Sequence, residues 1–293
     1  MFSLVIVSYN SQDTIARCIS SIPKKGLPQI IVVDNASQDK TAEAVRKKFP
    51  RVKLIKNPKN VGFTRACNQG AGASTGNFIL FLNPDTEILS QNILSTLQSF
   101  ILRNHSFGVI GFKFVNPDGS LQPSFGSFPT LLRIVADRIP HLNSTLGILI
   151  RDGGLFRKVR KVDWTSASGL LVKRDVFLKI GGFDEKIFMY GEDYELAFRL
   201  KKAGFQNYFL PWVKILHQDS GRTNPLRKPH KYFSMRKGFL YFFKKHNMDI
   251  DLFLLSNMIK VESFLMLATL AFRKGSTEEK NMWKKYLLET LKL

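Results

Sequence analysis

Acidic residues are scarce in this chain: 23 Asp and Glu stand against 44 Lys and Arg, a formal charge of +21 over 293 residues. Such an imbalance calls for an anionic partner (nucleic acid, a phosphorylated small molecule or an acidic membrane surface) and says nothing about fold. Cysteine is scarcer still. Cys18 and Cys67 are the two present, and they form no CxxC pair and no Cys/His cluster. Neither a disulfide framework nor a zinc site is therefore supported. Long hydrophobic runs are missing as well. The longest uncharged stretches of the C-terminal region, residues 252–259 and 263–272, fall far below the roughly 20 residues that a membrane span needs, so no segment is expected to cross a bilayer. The opening MFSLVIVSYN lacks a basic leader and a small-residue cleavage site, and reads as a strand. There is no internal repeat and no low-complexity tract. What remains is an ordinary globular composition, 44% hydrophobic and 23% charged, long enough to bury a full core.

The first hundred residues alternate. Residues 2–8, 29–34, 52–56 and 77–82 are short apolar, β-rich runs. Between and after them, residues 15–22, 64–73 and 91–104 have helical spacing, and a helix from Asp39 or Lys40 to Phe49 takes Asp39 as its N-cap. This order predicts an α/β fold, a mostly parallel sheet covered by helices on both faces. After residue 107 the pattern changes to a strand over 108–114, a turn at NPDGS, and a long irregular loop with short helices over 120–163. Order returns with SGLLVKRDVFLKIGGFDE, a strand and a helix closed by Gly181–Gly182, then a helix over 194–202 ended by Gly204. From about residue 228 the tail is helical and basic.

Several polar residues sit just beyond the expected strands. In FLNPDTE, Pro84 lacks an N–H and forces Asn83 to be extended, so the strand stops there and Asp85 follows its end. Asn10 follows the first strand and Asp34–Asn35 the second. In a parallel sheet these ends share one edge, where open α/β sheets bind ligands. GAGASTG (70–76) has the glycines of a dinucleotide loop but follows a helix and precedes a strand, the reverse of the required order. MYGEDYELAFRLKKAGF gathers Glu192, Asp193 and Glu195, acids suited to a helix N-terminus and equally to activating a hydroxyl as general base. His217 in VKILHQDSG ends an apolar run, as a core histidine or as a metal ligand beside Asp85.

VIVSYN, VVDNAS, NVGFTRACNQG, FLNPD, the segment from SGLLVKRD to KKAGF, and His217 occur in this order and spacing. Together they resemble the family 2 glycosyltransferases of GT-A fold, and most of all the rhamnosyltransferase-like branch that builds bacterial surface polysaccharides. The resemblance spans residues 3 to about 220. It implies a catalytic domain over 1–221, with a nucleotide-binding half (1–106) and an acceptor half (107–221), followed by a basic helical extension over 222–293. Asp34 would hydrogen-bond the pyrimidine of a UDP- or dTDP-sugar donor, with Ser8, Asn10, Asn35, Arg65 and Asn68 lining the donor site. The family's DxD motif falls on Asn83–Pro84–Asp85. Its first acid is replaced, so Asn83 contacts the donor and Asp85 holds a divalent cation, Mg²⁺ or Mn²⁺, with His217 as a second ligand. Asp193 would be the base of an inverting transfer with Glu192 beside it, and Trp164, Ser168 and Gly169 would face the acceptor glycan.

Two other classes compete. A non-catalytic polyanion-binding protein accounts for the charge but not for the ordered acidic motifs. A sugar-nucleotide nucleotidyltransferase would want a glycine-rich basic loop after the first strand, and SYNSQDT is not one. Between Arg222 and His246 the tail has eight Lys/Arg and no Asp or Glu, interleaved with Tyr232, Phe233, Phe239, Tyr241, Phe242 and Phe243. Rings and cations of this kind suit the headgroup region of an anionic membrane. The expectation is a cytoplasmic, peripheral membrane enzyme with a lipid-linked acceptor and no nucleic-acid partner.

Overall fold

The computed structural model describes residues 1–23, 29–136, 154–218, 227–272 and 275–293. They form two compact units, one of residues 1–128, 154–188 and 192–218, the other of residues 129–136, 189–191, 227–272 and 275–293. The boundary expected at 221/222 lies outside the described residues, as do residues 137–153 of the expected long loop.

The first unit is built on a mixed sheet of β1 (Phe2–Ser8), β2 (Gln29–Asp34), β3 (Lys53–Lys56), β4 (Phe78–Leu82), β5 (Thr86–Ile88), β6 (Phe107–Val115), β11 (Gly169–Lys173) and β12 (Gln206–His217), in the order β3-β2-β1-β4-β11-β6-β12-β5. All seven residues of β1 are buried, because helices cover both faces and no side has to meet water. Leu4 and Ile6 join one core with Ile15, Cys18, Leu97 and Phe100; Val5 and Val7 join the other with Ala66, Cys67, Phe177 and Leu196. Helix Phe63–Gly72 lies so close to β1 that a Cβ on Gly70 would come 2.3 Å from Val5 Cγ1. The glycines of GAGASTG thus serve packing at this position.

Two antiparallel strands shape the edge where β4 ends. β11 runs opposite to β4 and β6, which sets its start, at Gly169, against Leu82 at the end of β4. β5 runs opposite to β12 and pairs Thr86 with His217. Periodicity did not foresee β5, nor the two-residue strands β7 (Leu121–Gln122), β8 (Phe125–Gly126), β9 (Arg160–Lys161) and β10 (Trp164–Thr165) inside the expected irregular loop. Elements this short carry no repeat to read; Phe125, Phe156 and Phe209 hold them with ring centroids 4.5–5.4 Å apart. One cap also differs. Helix Thr41–Lys48 has Lys40 at its N-cap, and Asp39 acts from one residue earlier, accepting the Thr41 N–H at 3.0 Å.

The second unit contains helices Leu131–Ala136, Arg227–Lys245, Asp249–Thr269 and Thr277–Thr290, the last three packed on one another. Ser276 caps the last helix, accepting the Glu279 N–H at 3.1 Å. Of the six rings expected at a membrane, two turn fully inward, while Tyr232, Phe233, Phe239 and Tyr241 are half-buried. Phe242 and Phe243 are fully buried, Tyr232 packs on Trp283 at 5.4 Å and Phe233 on Tyr286 at 5.6 Å. Helix Asp249–Thr269, by contrast, is long and apolar enough by length and composition to cross a membrane, and is the one such helix among the described residues. Counting uncharged runs overlooked it because Lys260 and Glu262 interrupt the apolar positions.

Candidate active site

One group of polar side chains gathers where β1 and β2 finish side by side, Ser8 opposite Asp34. Both are buried, and Ser8 Oγ donates to Asp34 Oδ1 at 3.2 Å. Ser37 adds two donors, its hydroxyl to Oδ1 at 2.6 Å and its N–H to Oδ2 at 3.3 Å. A carboxylate has about four acceptor positions, so one more N–H can still be received. Asn10, in left-handed conformation at φ 48°, is tied to the same loop by accepting the Gln38 N–H at 2.8 Å. Asn35 is a hub of the protein itself: its Oδ1 accepts from Asn57 Nδ2 and Val61 N, and its Nδ2 donates to Asn60 Oδ1 and the Gly62 carbonyl.

The middle of the edge is the β4–β5 turn. Asn83 donates through Nδ2 to Ser168 Oγ at 2.8 Å and through its backbone to the Ser168 carbonyl at 3.1 Å, so β11 and the turn are stitched together. Asp85 Oδ1 is buried with no hydrogen-bond partner and lies 3.6 Å from His217 Nε2. The other ring nitrogen, Nδ1, is 3.2 Å from Gln122 Oε1. An Nδ1–H donated to that amide oxygen leaves the Nε2 lone pair facing Asp85, the tautomer that metal-ligating imidazoles adopt. An orphaned carboxylate oxygen facing an imidazole nitrogen fits a divalent cation. Among the described residues no three His, Cys, Asp or Glu side chains cluster, so other ligands would come from a bound molecule or water. Below the turn, Cys18 Sγ lies 3.4 Å from the Asn83 carbonyl, and burial pushes its thiol up to about 12, with the charges of Asp85 and Glu87 adding.

The acidic segment opens helix Glu192–Lys202, and its three carboxylates have three surroundings. Glu195 is fully buried and grips Arg199 with both oxygens at 2.8–3.0 Å. Arg199 then donates to the carbonyls of Ile180 and Gly182, each at 2.7 Å. Glu192 is buried, and its charge adds to the burial that pushes the Cys67 thiol well up. Asp193 keeps partial exposure; burial pushes its carboxyl up to about 6, opposed by the Tyr194 N–H that Oδ1 accepts at 2.8 Å. That value suits a base working near neutrality. Tyr194 in turn meets the Trp164 ring edge-on at 6.4 Å, and Trp164 Nε1 donates to the Ser127 carbonyl at 2.8 Å.

Arg65 and Asn68 face the segment that leads to Asp193. Arg65 pairs with Glu185 at 2.8 Å, while Asn68 exchanges two hydrogen bonds with the backbone of Phe183 at 2.8 and 2.9 Å. Thr64 Oγ1 donates to the Ile187 carbonyl at 2.6 Å, and Phe63 N to that of Phe188 at 2.8 Å. Gly182, at φ +67°, has to be glycine: a Cβ would sit 2.5 Å from Asn68 Oδ1. One helix, Phe63–Gly72, therefore braces residues 183–188, ahead of Asp193. Sequence reading missed this brace, and it missed Gln122 and Ser37, whose side chains have no motif to announce them.

A buried acceptor carboxylate at the end of β2, a carboxylate–imidazole pair at the β4–β5 turn and a raised carboxyl opening helix Glu192–Lys202 are groups suited to binding a nucleotide, neutralising its phosphates and deprotonating a hydroxyl. The sequence model of "Glycosyl transferase family 2" matches residues 3–160, more than half of the chain. The N-acetylglucosaminyl-diphospho-decaprenol L-rhamnosyltransferase of Mycobacterium tuberculosis (strain ATCC 25618 / H37Rv) is 29% identical over 258 residues, 82% of either chain. Rhamnosyltransferase WbbL of Escherichia coli (strain K12) is 29% identical over 141 residues, 48% of this chain and 52% of its own. Among solved structures, residues 1–349 of S. aureus TarS superpose with a TM-score of 0.53 at 17% identity, over 99% of this chain and 80% of that one, which shows a shared GT-A fold. By its sequence match, its fold and the groups just described, the chain belongs to glycosyl transferase family 2.

Proposed function

We propose that this glycosyltransferase moves a sugar, rhamnose in the first instance, from a UDP- or dTDP-sugar to a hydroxyl of a lipid-linked glycan, with inversion at the anomeric carbon. The observation that carries the reading is Asp85 Oδ1, a buried carboxylate oxygen with no hydrogen-bond partner, facing His217 Nε2 at 3.6 Å just beyond the end of β4. Asp34 receives the pyrimidine N–H, an edge that uracil and thymine share. Asn83 contacts the ribose. Asp85 and His217 would hold a divalent cation, Mg²⁺ or Mn²⁺, which would supply Lewis-acid stabilisation to the departing diphosphate. Asp193 takes the proton of the acceptor hydroxyl as the new bond forms. A single base opposite the leaving group gives direct displacement, and no group of the chain need form a covalent intermediate. Trp164, Ser168 and Gly169 border the acceptor, while Gln122 fixes the ring of His217.

A polyprenyl-diphosphate-linked N-acetylglucosamine is the acceptor class we favour, supported by the activity for which the M. tuberculosis relative is named. Such an acceptor places the enzyme at the cytoplasmic face of a membrane, held peripherally, with residues 1–221 carrying transfer and 222–293 the attachment. Nucleic acid is not among the proposed partners. Incubation with dTDP-rhamnose or a UDP-sugar, Mn²⁺ and a short-chain prenyl-diphosphate-GlcNAc should release nucleoside diphosphate and lengthen the glycan. EDTA should silence the reaction, and Asp85→Ala should lose cation-dependent donor binding. Full activity in EDTA overturns the metal assignment; pyrophosphate release in place of nucleoside diphosphate would favour nucleotidyl transfer.

A further inference from the structure

The second unit exposes what the first conceals. Along helix Asp249–Thr269, Leu255, Ile259 and Ser263 are buried. On the opposite side Ile250, Phe253, Leu254, Val261, Phe264 and Leu265 are exposed, Ile250 at 78% and Phe264 at 64%. Steps of three and four residues put these six on one face of an α-helix, together with Asn257 and Ala268. The face is extended at its C-terminal end by Phe272, 89% exposed in the turn Leu270–Phe272. Near the first turn, helix Leu131–Ala136 is attached by the Leu131 N–H to Asp251 Oδ1 at 3.4 Å and exposes Leu132. An apolar strip this continuous is an interaction site on a soluble chain, not an ordinary surface.

We infer that this bare face of helix Asp249–Thr269 is the surface that lies on an anionic lipid bilayer, with the helix resting in the headgroup layer and its phenylalanines inserted. The inference rests on the membrane reading of the proposed function and replaces the rings of helix Arg227–Lys245 as the contact. Charge selects the occupant. From residue 219 to 293 the chain has 15 Lys and Arg against 7 Asp and Glu. Helix Asp249–Thr269 itself has Asp249, Asp251 and Glu262 against Lys260, with Glu262 paired to Arg236 at 2.7 Å and Asp251 accepting the Leu131 N–H, so the excess comes from the rest of the C-terminal region. The basic excess is thus complementary to acidic headgroups. A second copy on the same face would instead bring two positively charged units together. The packing of the helix limits what it can offer. Its other side is committed to helices Arg227–Lys245 and Thr277–Thr290 and includes the Arg236–Glu262 pair, so one face alone is offered to lipid.

The test uses the full chain. Flotation with phosphatidylcholine vesicles and with phosphatidylcholine/phosphatidylglycerol vesicles should show binding to the anionic set alone, reversed by high salt or alkaline carbonate. The double variant Phe253→Ser/Phe264→Ser should lose about tenfold or more of that partitioning, while its transfer to a water-soluble acceptor analogue is unchanged. Phe264→Trp should shift its emission to the blue on anionic vesicles and be quenched by brominated lipid. Unaltered partitioning of the double variant overturns the inference, as does failure of the native chain to bind anionic vesicles at low salt. Lipid-free self-association abolished by the double variant would make a second copy the occupant, and resistance to carbonate would mean a spanning helix. If the transferase reading fails, nucleoside diphosphate is not released although flotation persists, so the two failures are told apart.

Discussion

Around Asp34 and Asn35 the polar side chains are occupied by the protein, whereas around Asp85 and Asp193 they are left short. Asp34 accepts from Ser8 and Ser37, and Asn35 makes four hydrogen bonds to the 57–62 loop. At the other end Asp85 Oδ1 has no hydrogen-bond partner, and burial holds the Asp193 carboxyl at about 6. Satisfied networks stiffen a site; unsatisfied or desolvated groups cost stability and retain reactivity. Under the proposed function, the Asp34 side would be a preformed cradle for the donor, and the chemistry would belong to Asp85 and Asp193, which folding left short of partners.

The largest effect that could break this comparison is at Asp193. Asp193→Asn should retain donor binding while transfer falls by about 10²–10⁴, the range for losing a general base. Glu192→Gln, buried beside Cys67, should cost less, and the reverse ranking would reassign the base. The pH profile of the native enzyme should rise through about pH 6 as Asp193 ionises. Stability should run the other way. A carboxyl raised from 3.8 to about 6 by folding binds its proton more tightly in the native state, so native stability falls as pH rises between those values. Asp193→Asn should then melt higher than the native enzyme at pH 7, with the gap closing as pH drops toward the lower value. An equal melting temperature at both ends would show that Asp193 is not strained.

A smaller effect sharpens the metal side of the comparison. Gln122→Leu removes the acceptor for His217 Nδ1–H and should weaken Mn²⁺ affinity by about 10- to 100-fold, as outer-shell partners of metal ligands do. Gln122→Glu keeps an acceptor at the same place and should restore most of it. If both variants lose affinity together with melting temperature, Gln122 is packing β7 onto β6 and does not orient the ring.

The strand–helix alternation was legible because covered parallel strands such as IIVVD need continuous apolar runs, and five elements of that kind repeat before residue 115. The strand-exit residues followed from it: once Leu82 ends β4, Asp85 has to lie beyond the sheet. What stayed illegible was side-chain direction. Arg65 and Asn68 lie in the donor half of the sequence yet bond to Glu185 and Phe183, more than a hundred residues away, and spacing carries no information at that range. The tail misled in a related way. Rings and lysines alternate in helix Arg227–Lys245, but at 3.6 residues per turn alternation does not say which set faces out. Phe242 and Phe243 face in.

The smallest expected effect on turnover, and the sharpest test of the preformed end, is at Asn35. Reading the sequence put Asn35 among donor ligands, whereas its side chain is spent on Asn57, Val61, Asn60 and Gly62. Asn35→Ala would leave one buried proton of the Asn57 amide, whose other goes to Gln69 Oε1, and the half-buried Val61 N–H without their acceptor. Each unsatisfied group costs about 1–3 kcal/mol, so the loss should appear in urea unfolding as a lower midpoint. Donor KM should change little at temperatures where the variant is folded, because Asp34 keeps its own contacts with Ser8 and Ser37. A raised donor KM with unchanged stability would reverse the assignment, making Asn35 a ligand and the cradle as chemically open as the end that carries Asp193.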